Sequence, residues 1–242
     1  SVDPERVYVF GHSMGGVMAP FLMAPGETGE APVRGAIVYG TLARTWLEYV
    51  LENIRRQYPL MGASQARTTD ALEPMIALWT GVMFEGRTVA QVLETAPALR
   101  MMDPTLEPER IYGRHVTFFR ELQALNLAQA WSEARGHVLA LHGEHDFVAP
   151  ELDHRLIADI VNAADASAGG TTDGPLPRGV MRTLPGADHA FTVHPSLQSA
   201  VRANGRGEWD GSLPRAVLAW IAEVEGATIG AQPAATPAAP GR

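Results

Sequence analysis

The sequence predicts an α/β chain in which short buried strands alternate with helices. Three observations carry that expectation. The apolar run Val7-Tyr8-Val9-Phe10 enters a glycine turn, Gly11-His12-Ser13-Met14-Gly15, and leaves it as a helix-like run over residues 16–24. A second apolar run over residues 138–142 ends in the polar turn Gly143-Glu144-His145-Asp146. A third, residues 180–184, stops at Pro185-Gly186 and is followed by Ala187-Asp188-His189. Short apolar runs bounded by turn residues read as buried strands, whereas helices repeat their apolar positions at i, i+3, i+4 and i+7.

The remaining elements follow in order. Residues 25–32 form a Gly/Pro/Glu loop and residues 33–39 a second strand. Residues 42–136 read as helical. Trp46, Leu47, Val50, Leu51, Ile54 and Tyr58 recur at helical spacing, as do Leu72, Met75, Ile76 and Trp79 after a cap expected at Thr69-Asp70. Phe118, Phe119, Leu122 and Leu125 predict a further helix, and residues 127–134 lead into the strand at His137. Trp46, Trp79, Met75, Met83 and Phe84 are expected in ordinary core, and residues 101–104 in a loop. Residues 165–179 and 203–212 are glycine-rich loops. Residues 213–224 form a closing helix with Val217, Leu218, Trp220 and Ile221 turned inward, and the Ala/Pro-dominated residues 227–242 are expected to be disordered.

Composition narrows the function. The 242 residues suffice for one large domain, with or without a cap. A net charge of −8 with no run of Lys or Arg argues against a nucleic-acid partner. There are no cysteines, so no disulfides form. No apolar stretch approaches the roughly 18 residues needed to span a membrane. No signal peptide is visible in the sequence, and a cytoplasmic location is expected unless a targeting segment precedes Ser1.

The three turns carry Ser, then Asp, then His, the chain order of one class of serine hydrolases. GHSMGG, LHGEHDFVAP and PGADHAF resemble the three catalytic segments of the α/β-hydrolase fold, and VDPERVYVFGHSMGG is similar to its prolyl-oligopeptidase-like and dienelactone-hydrolase-like members. The resemblance covers residues 1–41 and 137–226. It implies a mostly parallel sheet in those two stretches, with residues 42–136 inserted as a helical cap that shapes the pocket. It also implies that Ser13 is the nucleophile at a tight elbow, His189 its base and Asp146 the partner that orients the base. A serine hydroxyl needs such a base, and the base needs its orienting group. The backbone N–H of Met14 would supply one oxyanion donor. No cofactor and no metal are required, because nucleophile, base and acid are all side chains.

Several residues compete for these roles. Glu144 is expected to brace the acid turn, and Asp153 to lie on a solvated helix face. His194 is expected to open a helix, and Asp188 to brace its loop. His12 should point away from Ser13 and act structurally. His142 and His145 flank the acid turn without a third metal ligand. The substrate implied is a small carboxylic ester cleaved through an acyl-enzyme. A short peptide is the second choice, and a non-catalytic hydrolase-fold module the reading of another class.

Only four strands can be found, and by resemblance they match the last four of a family sheet of about eight. The serine strand would then lie at an open edge. The expectation is a missing N-terminal segment or a complementing chain, which would also bring the second oxyanion donor.

Overall fold

The computed structural model describes residues 3–26, 33–167 and 176–226; the tail at 227–242 and part of the loop at 165–179 lie outside them. After a single turn of 3-10 helix at Pro4–Arg6 come β1 (Tyr8–His12), α1 (Met14–Val17), α2 (Ala19–Leu22) and β2 (Gly35–Tyr39). The helical stretch contains α3 (Trp46–Leu60), α4 (Gln65–Met83), α5 (Val89–Thr95) and α6 (Leu99–Met102). A two-residue hairpin follows, β3 (Arg110–Ile111) with β4 (Arg114–His115), and then α7 (Val116–Ala124) and α8 (Leu127–Glu133). The chain returns through β5 (His137–Gly143), α9 (Glu151–Ser167), β6 (Gly179–Leu184), α10 (Leu197–Ala203) and α11 (Ser212–Val224).

The sheet is parallel throughout, in the order β1-β2-β5-β6. Parallel neighbours must be joined by crossovers, and the helices of those crossovers cover the sheet's faces. On one face Ala36, Val38, Val138 and Ala140 pack against Ala19, Met23, Trp131, Ile157 and Val161. On the other, Ile37, Tyr39, Leu139 and Leu141 pack against Trp220 of α11. A third core lies within the helical stretch, where Trp46, Trp79 and Phe119 meet edge-on or tilted with centroids 5.1–5.8 Å apart. β1 is an edge strand, and Phe10 on it is half-exposed.

Several expectations need correction. β1 continues through Gly11 and His12 because the Ser13 N–H still donates to the Tyr39 carbonyl at 2.9 Å. The helix after it breaks at Met18, where Pro20 in the next first turn cannot continue the hydrogen-bond ladder. α4 starts at Gln65, capped by the Ser64 side chain, so Thr69 and Asp70 lie inside it. Residues 101 and 102 close the short helix α6 rather than open a loop. Leu218 is 65% exposed because it falls beside the stripe that turns Val217, Trp220 and Ile221 inward. Phe84 is likewise exposed, while Trp46, Met75, Trp79 and Met83 are buried. Among the described residues, no helix is long and apolar enough to cross a membrane.

Candidate active site

Ser13 sits where β1 turns into α1, with φ 53° and ψ −125°, a backbone region costly for any residue with a Cβ. The turn is held by close packing behind it. A Cβ on Gly11 would lie 2.7 Å from the Gly16 Cα, and one on Gly16 would lie 2.6 Å from the Thr41 Cβ. Gly15 has open space around its would-be Cβ, so crowding explains the glycine before the serine and not the one two residues after it.

The carboxyl ends of β1, β5 and β6 bring three predicted residues together. The Ser13 Oγ lies 3.1 Å from the His189 Nε2, and the His189 Nδ1 lies 2.9 Å from the Asp146 Oδ2. Asp146 is buried on the turn after β5, and its Oδ1 accepts the N–H groups of Val148 and Ala149 at 2.8 Å each. Burial pushes the Asp146 carboxyl up. The hydrogen bond and charge of His189, with the Ala149 and Val148 N–H groups, outweigh it and hold the carboxyl below the ordinary carboxylate value. Met14 is the first residue of α1, where the helix's own ladder leaves N–H groups free.

The competing residues are engaged elsewhere. The Asp188 Oδ1 accepts the N–H groups of Ala190 and Thr192 at 2.9 Å each, and its Oδ2 lies 3.1 Å from the His194 Nε2. This pair ties down the loop that carries His189. His194 does not open a helix; Ser196 caps α10. Glu144 accepts the Gly186 N–H at 2.8 Å and links the acid turn to the histidine turn. Asp153 is not on a solvated face: it is fully buried and binds the Ala43 N–H, the Arg44 N–H and the Arg44 guanidinium.

His12 donates from Nε2 to the His189 carbonyl at 2.9 Å, in an aromatic group with Tyr39 and Phe191. Burial, and then the charge of His189, push its imidazole below the ordinary histidine value. His145 donates to the Gly186 carbonyl, while His142 is buried beside His154, their ring centroids 5.2 Å apart. Among the described residues, no three His, Cys, Asp or Glu side chains gather as metal ligands would.

Sequence reasoning passed over four participants. Gly40, at the end of β2, has φ +59°; a Cβ there would lie 2.8 Å from the His189 ring and 3.1 Å from the Asp146 Oδ2. A glycine closing a buried strand was the available signal. Arg56 and Gln57 on α3 reach the acid turn, and His154 on α9 accepts the Thr41 N–H behind it, at 3.3 Å. No local pattern distinguishes those three.

Beside Ser13, a groove of about 360 Å³ runs between α1 and α7. Met14, Val17 and Met18 form one wall and Phe118, Leu122 and Leu125 the other, with Arg114 and Glu121 at the rim. The guanidinium of Arg114 lies 5.3 Å over the Phe118 ring.

A family model described as the alpha/beta hydrolase family matches residues 1–201. No curated protein sequence matches the chain. Among solved structures, the chain is similar to the monoacylglycerol lipase of Paleococcus ferrophilus, with 16% identity over 91% of this chain and 69% of that one and a TM-score of 0.43. It is also similar to the proline iminopeptidase of Mycobacterium smegmatis, with 17% identity over 91% of this chain and 66% of that one and a TM-score of 0.44. The enol-lactonase of Burkholderia xenovorans is similar at 15% identity, over 90% of this chain and 66% of that one, with a TM-score of 0.38. The chain spans about two thirds of the length of the proteins it matches.

Proposed function

Because this chain belongs to the α/β-hydrolase family, we propose that it is a serine hydrolase that cleaves a carboxylic ester, with Ser13 as nucleophile, His189 as base and Asp146 as orienting acid. The observation that carries this reading is the continuous relay from the Ser13 Oγ through His189 to a buried carboxylate, with spacings of 3.1 and 2.9 Å.

The steps follow from that geometry. The Ser13 Oγ attacks the ester carbonyl while its proton passes to the His189 Nε2. Asp146 holds the Nδ1 proton toward itself, keeps Nε2 free as the acceptor, and stabilises the imidazolium once it forms. The tetrahedral intermediate carries its negative charge on the former carbonyl oxygen, where the Met14 N–H meets it; losing one such donor costs roughly 100- to 1,000-fold in turnover. Collapse breaks the bond to the alkoxide, which leaves with the proton held by His189. Water then attacks the acyl-enzyme, giving its proton to the same nitrogen, and the acid departs as the Ser13 hydroxyl is restored. The apolar walls of the groove beside Met14 suit an acyl chain.

The test is labelling with a fluorophosphonate, run on the wild type and Ser13→Ala side by side. Covalent labelling of the wild type, abolished in a folded Ser13→Ala, is the expected result. A folded wild type that does not label would overturn the reading for this chain.

A further inference from the structure

α3 belongs to the helical stretch and not to the sheet, yet it grips the turn that carries Asp146. The Arg56 Nη2 donates to the Asp146 backbone carbonyl at 3.1 Å, and the Gln57 Nε2 donates to the Phe147 carbonyl at 3.0 Å. Adjacent residues on a helix point about 100° apart. They serve one target here because the target is a turn with two consecutive carbonyls to satisfy.

The grip is itself braced. The Asn53 Oδ1 accepts from the Arg56 Nη1 at 3.2 Å. Asn53 and Arg56 fall at i and i+3 on one face, a polar pair that ends at Asp146. At the other end of α3, Asp153 receives the Ala43 and Arg44 N–H groups and the Arg44 guanidinium. The segment from Ala43 to Gln57 is thus tied at two points to the segment from Asp146 to Asp153.

The Asp146 carboxylate has its own constraints. Oδ1 is held by the Val148 and Ala149 N–H groups and Oδ2 faces His189. Those contacts fix the carboxylate within the turn. The first half of the turn is tied to β6 and the histidine turn, where the Glu144 and His145 N–H groups donate to the Leu184 and Ala187 carbonyls at 3.0 and 2.9 Å; the Asp146 and Phe147 carbonyls, in its second half, are met by α3.

We propose that Arg56 and Gln57 are positioning residues that seat the Asp146 turn, so that the alignment of Oδ2 with the His189 Nδ1 depends on the docking of α3. The inference rests on the reading of Ser13, His189 and Asp146 as the reacting relay. It places part of the catalytic alignment in the helical stretch, outside the three strands that carry the reacting groups.

The experiment compares Arg56→Ala, Arg56→Lys and Gln57→Met with Arg55→Ala, all in the full chain. Arg55 is one residue away, exposed, and bonded to Thr69, so its removal takes the same charge from the same helix without touching the turn. Two readouts are taken. One is kcat and KM on a p-nitrophenyl ester. The other is the low-field proton resonance of the His189 Nδ1 proton, assigned by its loss in His189→Gln.

Arg56→Ala and Gln57→Met should lower kcat by about 10- to 100-fold, the scale of a sub-ångström to 1 Å misplacement. KM should stay within about twofold and the low-field proton should broaden or shift, while Arg56→Lys regains part of the rate and Arg55→Ala matches the wild type. Wild-type kcat and an unmoved proton in both Arg56→Ala and Gln57→Met would overturn the inference, as would losses no larger than the unfolded fraction. If the wild type hydrolyses no ester, the hydrolase reading fails on its own. The proton resonance then still decides whether α3 seats the turn: its shift, broadening or loss in Arg56→Ala supports the seating, and an unmoved resonance refutes it.

Discussion

Replacing Gly40 by alanine separates the geometry of the relay from the stability of the fold. Gly40 has φ +59°, and an added Cβ would come within 2.8 Å of the His189 ring and 3.1 Å of the Asp146 Oδ2. Ordinary contact begins near 3.4 Å, so the ring must retreat by about 0.6 Å. A 1 Å displacement of reacting groups costs about 100-fold in rate, which sets the expected loss at about 10- to 100-fold. The backbone cost is separate: a left-handed alanine costs roughly 1–2 kcal/mol, or about 2–8 °C in Tm for a chain of this size. Gly62→Ala supplies the control. Its φ is +88° and nothing lies within 4 Å of the would-be Cβ, so it bears similar backbone strain without the contact. The assay is the rate of fluorophosphonate labelling well below Tm, with melting followed by circular dichroism. Both variants should melt earlier, and only Gly40→Ala should label slowly. Wild-type labelling by Gly40→Ala would refute the argument that this backbone position sets the seat of His189.

Other outcomes follow from the same structure. Asp146→Asn keeps an acceptor for the Val148 and Ala149 N–H groups but presents the wrong partner to the His189 Nδ1; turnover should fall by about 10⁴-fold with the fold intact, and a loss under tenfold would contradict the orienting role. His154 is pushed down to about 4, by burial first and then by His142. The unfolded chain takes up that proton near pH 6.5 and the folded chain only near 4, so between those values the unfolded state holds more protons and stability falls as pH falls. The loss approaches about 3 kcal/mol by pH 4, and His154→Gln should flatten the curve of Tm against pH across that window. Phe118→Ala removes part of one wall of the groove. It should reduce the preference for an octanoyl over an acetyl ester by about fivefold, about 1 kcal/mol of apolar contact, measured as the ratio of the two kcat/KM values.

The strands were legible because each is a short apolar run that stops at a turn residue, and parallel strands buried on both faces have no polar side to blur the run. Ser13, Asp146 and His189 each close or follow such a run, so the structure gathers them where the strand ends converge. Asp153 was misread because it sits in a helix rich in polar residues, and nothing local reveals that Arg44, 109 residues earlier, would bury it. Gly40 was passed over for a related reason. Its importance lies in the side chains opposite, which arrive from Asp146 and His189. Arg56 and Gln57 are ordinary members of an amphipathic helix until the fold sets two bare carbonyls in front of them. Contacts at long sequence separation leave no trace in periodicity, and these residues act only through such contacts.

Ser13 and His189 are separated by 176 residues. A ribosome adding about 5–20 residues per second delivers the histidine roughly 9–35 s after the serine. If His189 is the base of Ser13, as proposed, the hydroxyl has no proton acceptor built for it throughout that interval and is no more reactive than any other serine. On that reading the nascent chain is chemically silent toward the esters around it until His189 has been made and folded home. On the proposed reading, reactivity arrives as a late event in the chain's own synthesis, and the return of probe labelling after dilution from denaturant times the joining of Ser13 and His189 across 176 residues.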